Sequence, residues 1–154
     1  DVIYIDLAIR IRAPSGNEVD LSEIIEFFKA LRGSGFNISK ITYDRFESRH
    51  SVQILKQFSF VAEQKSVVLE DYVLFKRLLA DGVVNMYPYS HLITEMEELE
   101  THLDTRPSHP EPDGSDDVCD AVTSVVSQLG VGRVEERPAG ENVDRWSAKF
   151  PNVF

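Results

Sequence analysis

The chain has 154 residues, carries 26 Asp and Glu against 16 Lys and Arg, and holds a formal net charge of −10 with a single cysteine. One cysteine excludes an intrachain disulfide framework, and the acidic balance excludes a protein that holds nucleic acid by general basicity. A hydrophobic content of 42% with nine Phe suits a folded globular chain with a core of its own, and no run has the length of a membrane span or the look of a signal peptide.

In chain order, residues 2–13 predict a strand, with Ile3, Ile5, Leu7, Ile9 and Ile11 alternating on one face. Pro14-Ser-Gly-Asn predicts a turn. Asp20 and Glu23 form a capping-box pattern that opens a helix with Leu21, Ile24, Ile25, Phe28 and Leu31 as its stripe. Ile38 to Asp44 predicts a buried strand with Asp44 as its last residue. A helix over 48–58, a strand over 62–69, a helix over 70–80 and a strand over 83–87 follow. Ser90 predicts the cap of a helix carrying Leu92, Met96, Leu99 and Leu103, and residues 104–115 read as a Pro-rich loop.

Strands alternating with helices predict an α/β sheet covered by helices, and in such sheets chemistry gathers at the carboxyl ends of strands. Asp44 holds such a position.

The last helix predicts from Ser115 as N-cap to Gly130, with Val118, Ala121, Val122, Val125, Val126 and Leu129 as its apolar stripe. At about 100° per residue, Asp117 falls on the border of that stripe, facing the sheet, and Asp116 and Asp120 fall outside it. Acids in a first helical turn are commonly there to complement the helix dipole. An acid at a helix start and another at a strand end can also supply the hard oxygen ligands of a divalent metal site, with Asp44 and Asp117 as the pair and Asp116 as a neighbour. From Gly130 onward the charged and small residues predict a tail in which Trp146 is a docking anchor or folds back on the domain.

The ordered segments Ile5-Asp-Leu-Ala, Arg12-Ala-Pro-Ser-Gly-Asn-Glu, Thr42-Tyr-Asp-Arg-Phe-Glu-Ser, Tyr87-Pro-Tyr, Glu95-Met-Glu-Glu-Leu, His109-Pro and Gly114-Ser-Asp-Asp-Val-Cys-Asp-Ala resemble the C-terminal nuclease domain of the large terminase subunit of tailed double-stranded DNA bacteriophages. The resemblance runs from about residue 2 to 129, with 130–154 as the tail. It implies an RNase H-like (RuvC-like, integrase-like) fold with a central mixed sheet flanked by helices. It also implies an endonuclease that uses Mg2+ or Mn2+ in a two-metal site to cut concatemeric viral DNA during packaging. Its partners would be double-stranded DNA, the portal protein, the small terminase subunit and an ATPase domain of the same full-length chain, with no membrane, in the host cell cytoplasm.

By the same resemblance Asp44 is the strand-end catalytic and metal-binding acid and Asp117 the acid of the last helix, with Asp116 beside it as a further ligand. The family carries a basic residue where Asp116 stands. Its first acid lies on a strand ahead of the one matching residues 2–13, so the N-terminal strands are expected upstream of Asp1 and the chain reads as a piece of a larger polypeptide; Asp6 is the lesser candidate for that acid. Asp120 is expected on the surface or in a structural role. His109 is expected to shape its loop, and Arg45, Arg49 and Lys56 to lie on a solvated face or steer phosphate. The alternatives are a catalytically silent domain of the same fold that binds DNA or the portal, and an unrelated acidic α/β interaction module.

Overall fold

The computed structural model describes residues 2–45, 48–100, 106–109 and 114–130. Among these are four strands, β1 (Ile3–Ile5), β2 (Ile41–Tyr43), β3 (Ala62–Gln64) and β4 (Val84–Met86). They alternate with five helices, α1 (Leu21–Gly33), α2 (Arg49–Gln57), α3 (Leu69–Ala80), α4 (Ser90–Glu98) and α5 (Asp117–Gly130). The chain divides into two compact units, one of residues 1–9 and 67–154 and one of residues 10–66. The class is α/β. In place of one central mixed sheet, the described strands form two separate parallel pairs, β1 with β4 and β2 with β3.

The second unit holds α1, β2, α2 and β3. Parallel strands need a crossover, and α2 supplies it between β2 and β3, which pair from Ile41 opposite Ala62 to Tyr43 opposite Gln64. Asp20 caps α1 by accepting from the Ser22 backbone N–H at 2.8 Å. Ile25, Ile41, Val52, Leu55, Phe60 and Ala62 form this unit's buried core. Tyr43 ends β2, so Asp44 stands just beyond the strand's carboxyl end.

The first unit joins β1 and β4, in register from Ile3 opposite Val84, to α3, α4 and α5. The strand expected over 2–13 pairs only over Ile3–Ile5, and Leu7, Ile9 and Ile11 are exposed rather than buried. Pairing ends at Ile5 opposite Met86; Pro88, two residues further on, has no N–H to extend the ladder, and beyond β1 a side chain takes over the contact. The Tyr87 hydroxyl accepts from the Ala8 N–H at 2.8 Å and donates to the Ala8 carbonyl at 2.9 Å.

The core of this unit gathers Ile3, Tyr72, Phe75, Leu78, Leu92, Met96, Val118, Cys119 and Val126. Here the expected stripe of α5 is rotated. Val118, Val122 and Val126 are buried as expected, but Ala121, Val125 and Leu129 are exposed, and Cys119, Thr123, Ser127 and Gly130 are buried in their place. Small side chains let a helix approach its neighbour closely. A Cβ on Gly130 would stand 2.4 Å from Leu78 Cδ1 of α3.

Phe75 is fully buried on α3, at the centre of this core. Phe75→Ala is expected to cost about 3–5 kcal/mol, the transfer term of the ring plus the cavity it leaves. A urea melt followed by circular dichroism reads this as a lowered midpoint at unchanged slope. A loss below about 1 kcal/mol would show that this core is not packed as described.

Candidate functional site at the start of the last helix

The rotation of α5 changes which acids face inward. Asp117, expected to face the sheet, is exposed, while Asp116 is buried and Asp120 half-buried. Asp116 sits at the N-cap position, its carbonyl accepting from the Asp120 N–H at 2.7 Å. The expected cap, Ser115, lies one residue earlier. Among the described residues, neither side chain accepts from a first-turn amide of α5.

The cap comes from another element. Glu95 of α4 is 4% exposed, and its Oε2 accepts from the backbone N–H groups of both Val118 and Cys119 at 2.9 Å. Its Oε1 accepts from the Ser115 hydroxyl, also at 2.9 Å. The carboxylate satisfies two of the four amides that a helix start leaves without partners, and the three donors offset the cost of burying it. Sequence patterning held one signal for Glu95: it falls beside Leu92, Met96 and Leu99 on the apolar side of α4.

With the amides taken, Asp116 turns to Arg106 and His109. Its carboxylate lies 3.5 Å from Arg106 Nη2 and 3.5 Å from His109 Nδ1. His109 is seated by Gly114: a Cβ there would come within 2.5 Å of the His109 Cβ. Its Nδ1 is buried with no hydrogen-bond partner among the described residues, which leaves Asp116 as the group it faces. His109 thus faces the helix start through Asp116.

Asp120 is structural rather than a surface acid. It accepts from Arg106 Nη1 at 2.7 Å and from the Tyr72 hydroxyl of α3. Burial raises its carboxyl above the usual value near 3.8, and the Tyr72 hydrogen bond and the Arg106 charge only partly oppose this. Burial, then the bond to Asp120, likewise pushes the Tyr72 phenol up.

The sign for stability follows. A carboxyl with a raised folded-state pKa binds more protons folded than unfolded. Its contribution is therefore most favourable below about 3.8 and falls as pH rises through the raised value. The unfolding free energy of the protein minus that of Asp120→Asn should decline across that window and level off above it. Urea melts at a series of pH values measure this, and a difference that grows with pH would refute it.

Asp117 differs from its neighbours. It is exposed, and its one contact among the described residues is the Ser115 hydroxyl, 3.3 Å from Oδ2. The single proton of Ser115 goes to the nearer Glu95 oxygen, so Asp117 is a secondary acceptor at most.

Asp44, in the other unit, is also exposed. Its Oδ1 accepts from its neighbour's backbone, Arg45 N–H at 2.6 Å, and lies 3.3 Å from the Ser66 hydroxyl. Its carbonyl accepts from Ser48, which is held in turn by Gln64 Nε2 at 2.8 Å. Oδ2 has no partner among the described residues. Arg45, Arg49 and Lys56 are exposed, as a solvated face would be, and Asp6 is exposed one residue beyond β1.

Among the described residues, no three or more His, Cys, Asp or Glu side chains group closely enough to hold a metal ion, and no helix is long and apolar enough to cross a membrane. The tail with Trp146, and Leu103 of the stripe expected on α4, lie outside the described residues. Comparison of the chain with family models, with curated proteins and with solved structures returns no match.

Proposed function

We propose that this chain is the metal-dependent endonuclease domain of a viral DNA-packaging terminase, with an RNase H-like fold and phosphodiester hydrolysis of double-stranded DNA as its reaction. The ordered motif segments of the sequence are the ground of the reading. The structural observation that carries it is a division among the acids. Glu95, Asp116 and Asp120 are committed to protein donors or cations, whereas Asp44 and Asp117 each present an exposed carboxylate at the end of a regular element.

Exposed carboxylates are hard oxygen donors of the kind Mg2+ and Mn2+ take. Asp44 and Asp117 fit that chemistry; Asp116 fits it less well, since it would first have to leave Arg106 and His109. The metal-binding role is kept for Asp44 and Asp117, which lie in different units and are joined in one site only by what the resemblance implies, while Asp116 stays with Arg106 and His109. When bound, such ions supply Lewis-acid stabilisation of the phosphate and an activated water. The resemblance implies a further acid on a strand preceding the one at residues 2–13. With a net charge of −10, the chain would hold duplex DNA weakly by itself, and the ATPase domain, the small terminase subunit and the portal would deliver it.

The test is plasmid nicking and linearisation with Mn2+, Mg2+ or EDTA, by this chain and by a form that carries the preceding strand. Metal-dependent cutting abolished by EDTA supports the nuclease reading. Absence of cutting by both forms, with the circular dichroism of a folded α/β protein, overturns it in favour of a silent DNA- or portal-binding domain.

A further inference from the structure

Glu95, Asp116, Asp117 and Asp120 all lie about the first turn of α5, each with different partners. In most helices the residue at the N-cap position accepts from the second or third amide of the helix through its own side chain. Asp116 occupies that position and is of a favoured type, yet its carboxylate faces Arg106 and His109 instead. The amides it would have taken, those of Val118 and Cys119, both go to Glu95. Ser115, the other nearby donor, gives its one proton to Glu95 as well.

We infer that Glu95 is a positioning residue that keeps the first-turn aspartates from being consumed by their own helix. Remove its carboxylate and two buried amides lose their acceptor, in a place where an unmet donor is costly. The nearest replacement is Asp116, which can reach them only by leaving Arg106. The Ser115 hydroxyl, released at the same time, turns to Asp117 Oδ2, already 3.3 Å away. The first change takes Asp116 from Arg106, and the second puts a donor on the otherwise uncommitted Asp117. One distant side chain thereby sets the charge that the helix start presents to solvent. The importance of an uncommitted Asp117 for metal rests on the nuclease reading; the capping role of Glu95 does not.

The test uses the folded chain and its Glu95→Gln and Glu95→Ala variants. Amide hydrogen exchange at Val118 and Cys119 is read by NMR, together with the side-chain signals of Asp116, Asp117 and Arg106. In Glu95→Ala, exchange at these two amides should rise about tenfold relative to the rest of α5, with the Arg106 side-chain signals shifting as Asp116 leaves. Glu95→Gln keeps an acceptor oxygen and should restore much of the amide protection, which also covers the case in which the alanine variant fails to fold. Unchanged protection in both variants overturns the inference.

Mn2+ affinity, read from paramagnetic broadening near Asp117, should fall about tenfold in Glu95→Ala at a temperature where the helix content is unchanged. Deprotected amides with undiminished Mn2+ affinity would overturn the positioning of Asp117. Deprotected amides with no Mn2+ binding even in the unaltered chain would uphold the capping role and sink the nuclease reading instead.

Discussion

On the proposed nuclease reading, Asp117→Ala is expected to lower metal-dependent plasmid cutting by about a hundred- to a thousandfold and to leave thermal stability nearly unchanged. The two halves of this expectation come from different observations. Asp117 is exposed, and the nearest polar group is a hydroxyl whose proton already serves Glu95. Its contribution to folding is then a favourable interaction with the helix dipole, on the order of 0.5 kcal/mol, and that is what alanine removes.

Asp116→Ala should do the reverse. Its carboxylate is buried between Arg106 and His109, and removing it leaves Arg106 with Asp120 and the buried Nδ1 of His109 with no acid to face. A loss of about 1–2 kcal/mol is expected, discounted because Arg106 is 41% exposed on its side chain. Side-by-side melts and cutting assays of the two variants therefore separate a group used for chemistry from a group used for folding. If Asp117→Ala cuts as well as the unaltered chain while Asp116→Ala does not, the roles assigned to the two residues are exchanged.

The alternation of strands and helices was legible because its signals are local. Gly33 ends α1, Asp20 caps it, and each apolar stripe sits on its own element. The elements of the second unit follow the sequence pattern to within a few residues, apart from the shortness of β3. What periodicity could not show was which neighbour a face meets. The stripe on α5 was placed by its valines and leucine, but contact with α3 selects small side chains, and Cys119, Thr123, Ser127 and Gly130 turn inward. That rotation of the buried face moves Asp117 outward and Asp116 inward.

Ile3 to Ile11 alternates like one long strand, yet pairing stops at Ile5 opposite Met86, two residues before Pro88. Strand length is a property of two segments, and one segment's pattern cannot report it. Of the candidate site, Asp44 and Asp117 stand at element ends as expected. Glu95, Arg106 and Tyr72 were missed because their roles depend on contacts 14 to 48 residues away in sequence.

The thiol of Cys119 offers the most sensitive report on that inward-turned face. Cys119 is fully buried, and burial is the main cause that pushes its thiol up to about 12. A weak contact with the Thr123 hydroxyl opposes this, and the nearby charges of Asp120, Glu95 and Asp116 reinforce it. The thiolate is the reactive form, so near pH 8 its population should be roughly a thousandth of that of an ordinary thiol, before any steric protection is counted. Iodoacetamide should therefore label Cys119 in the folded protein at least about a thousandfold more slowly than in urea-unfolded protein.

Labelling that does occur must pass through opening of the α3–α5 contact, so its rate should track the stability of the first unit. Phe75→Ala should accelerate it, because the same core is weakened. Leu55→Ala, in the core of the other unit, tests whether the two units open independently: an unchanged labelling rate says that they do, and a matching acceleration says that they unfold together. Fast labelling of the unaltered folded chain would mean that Cys119 faces solvent. The rotation of α5, and with it the assignment of Asp116 to the buried side and Asp117 to the exposed side, would then be wrong.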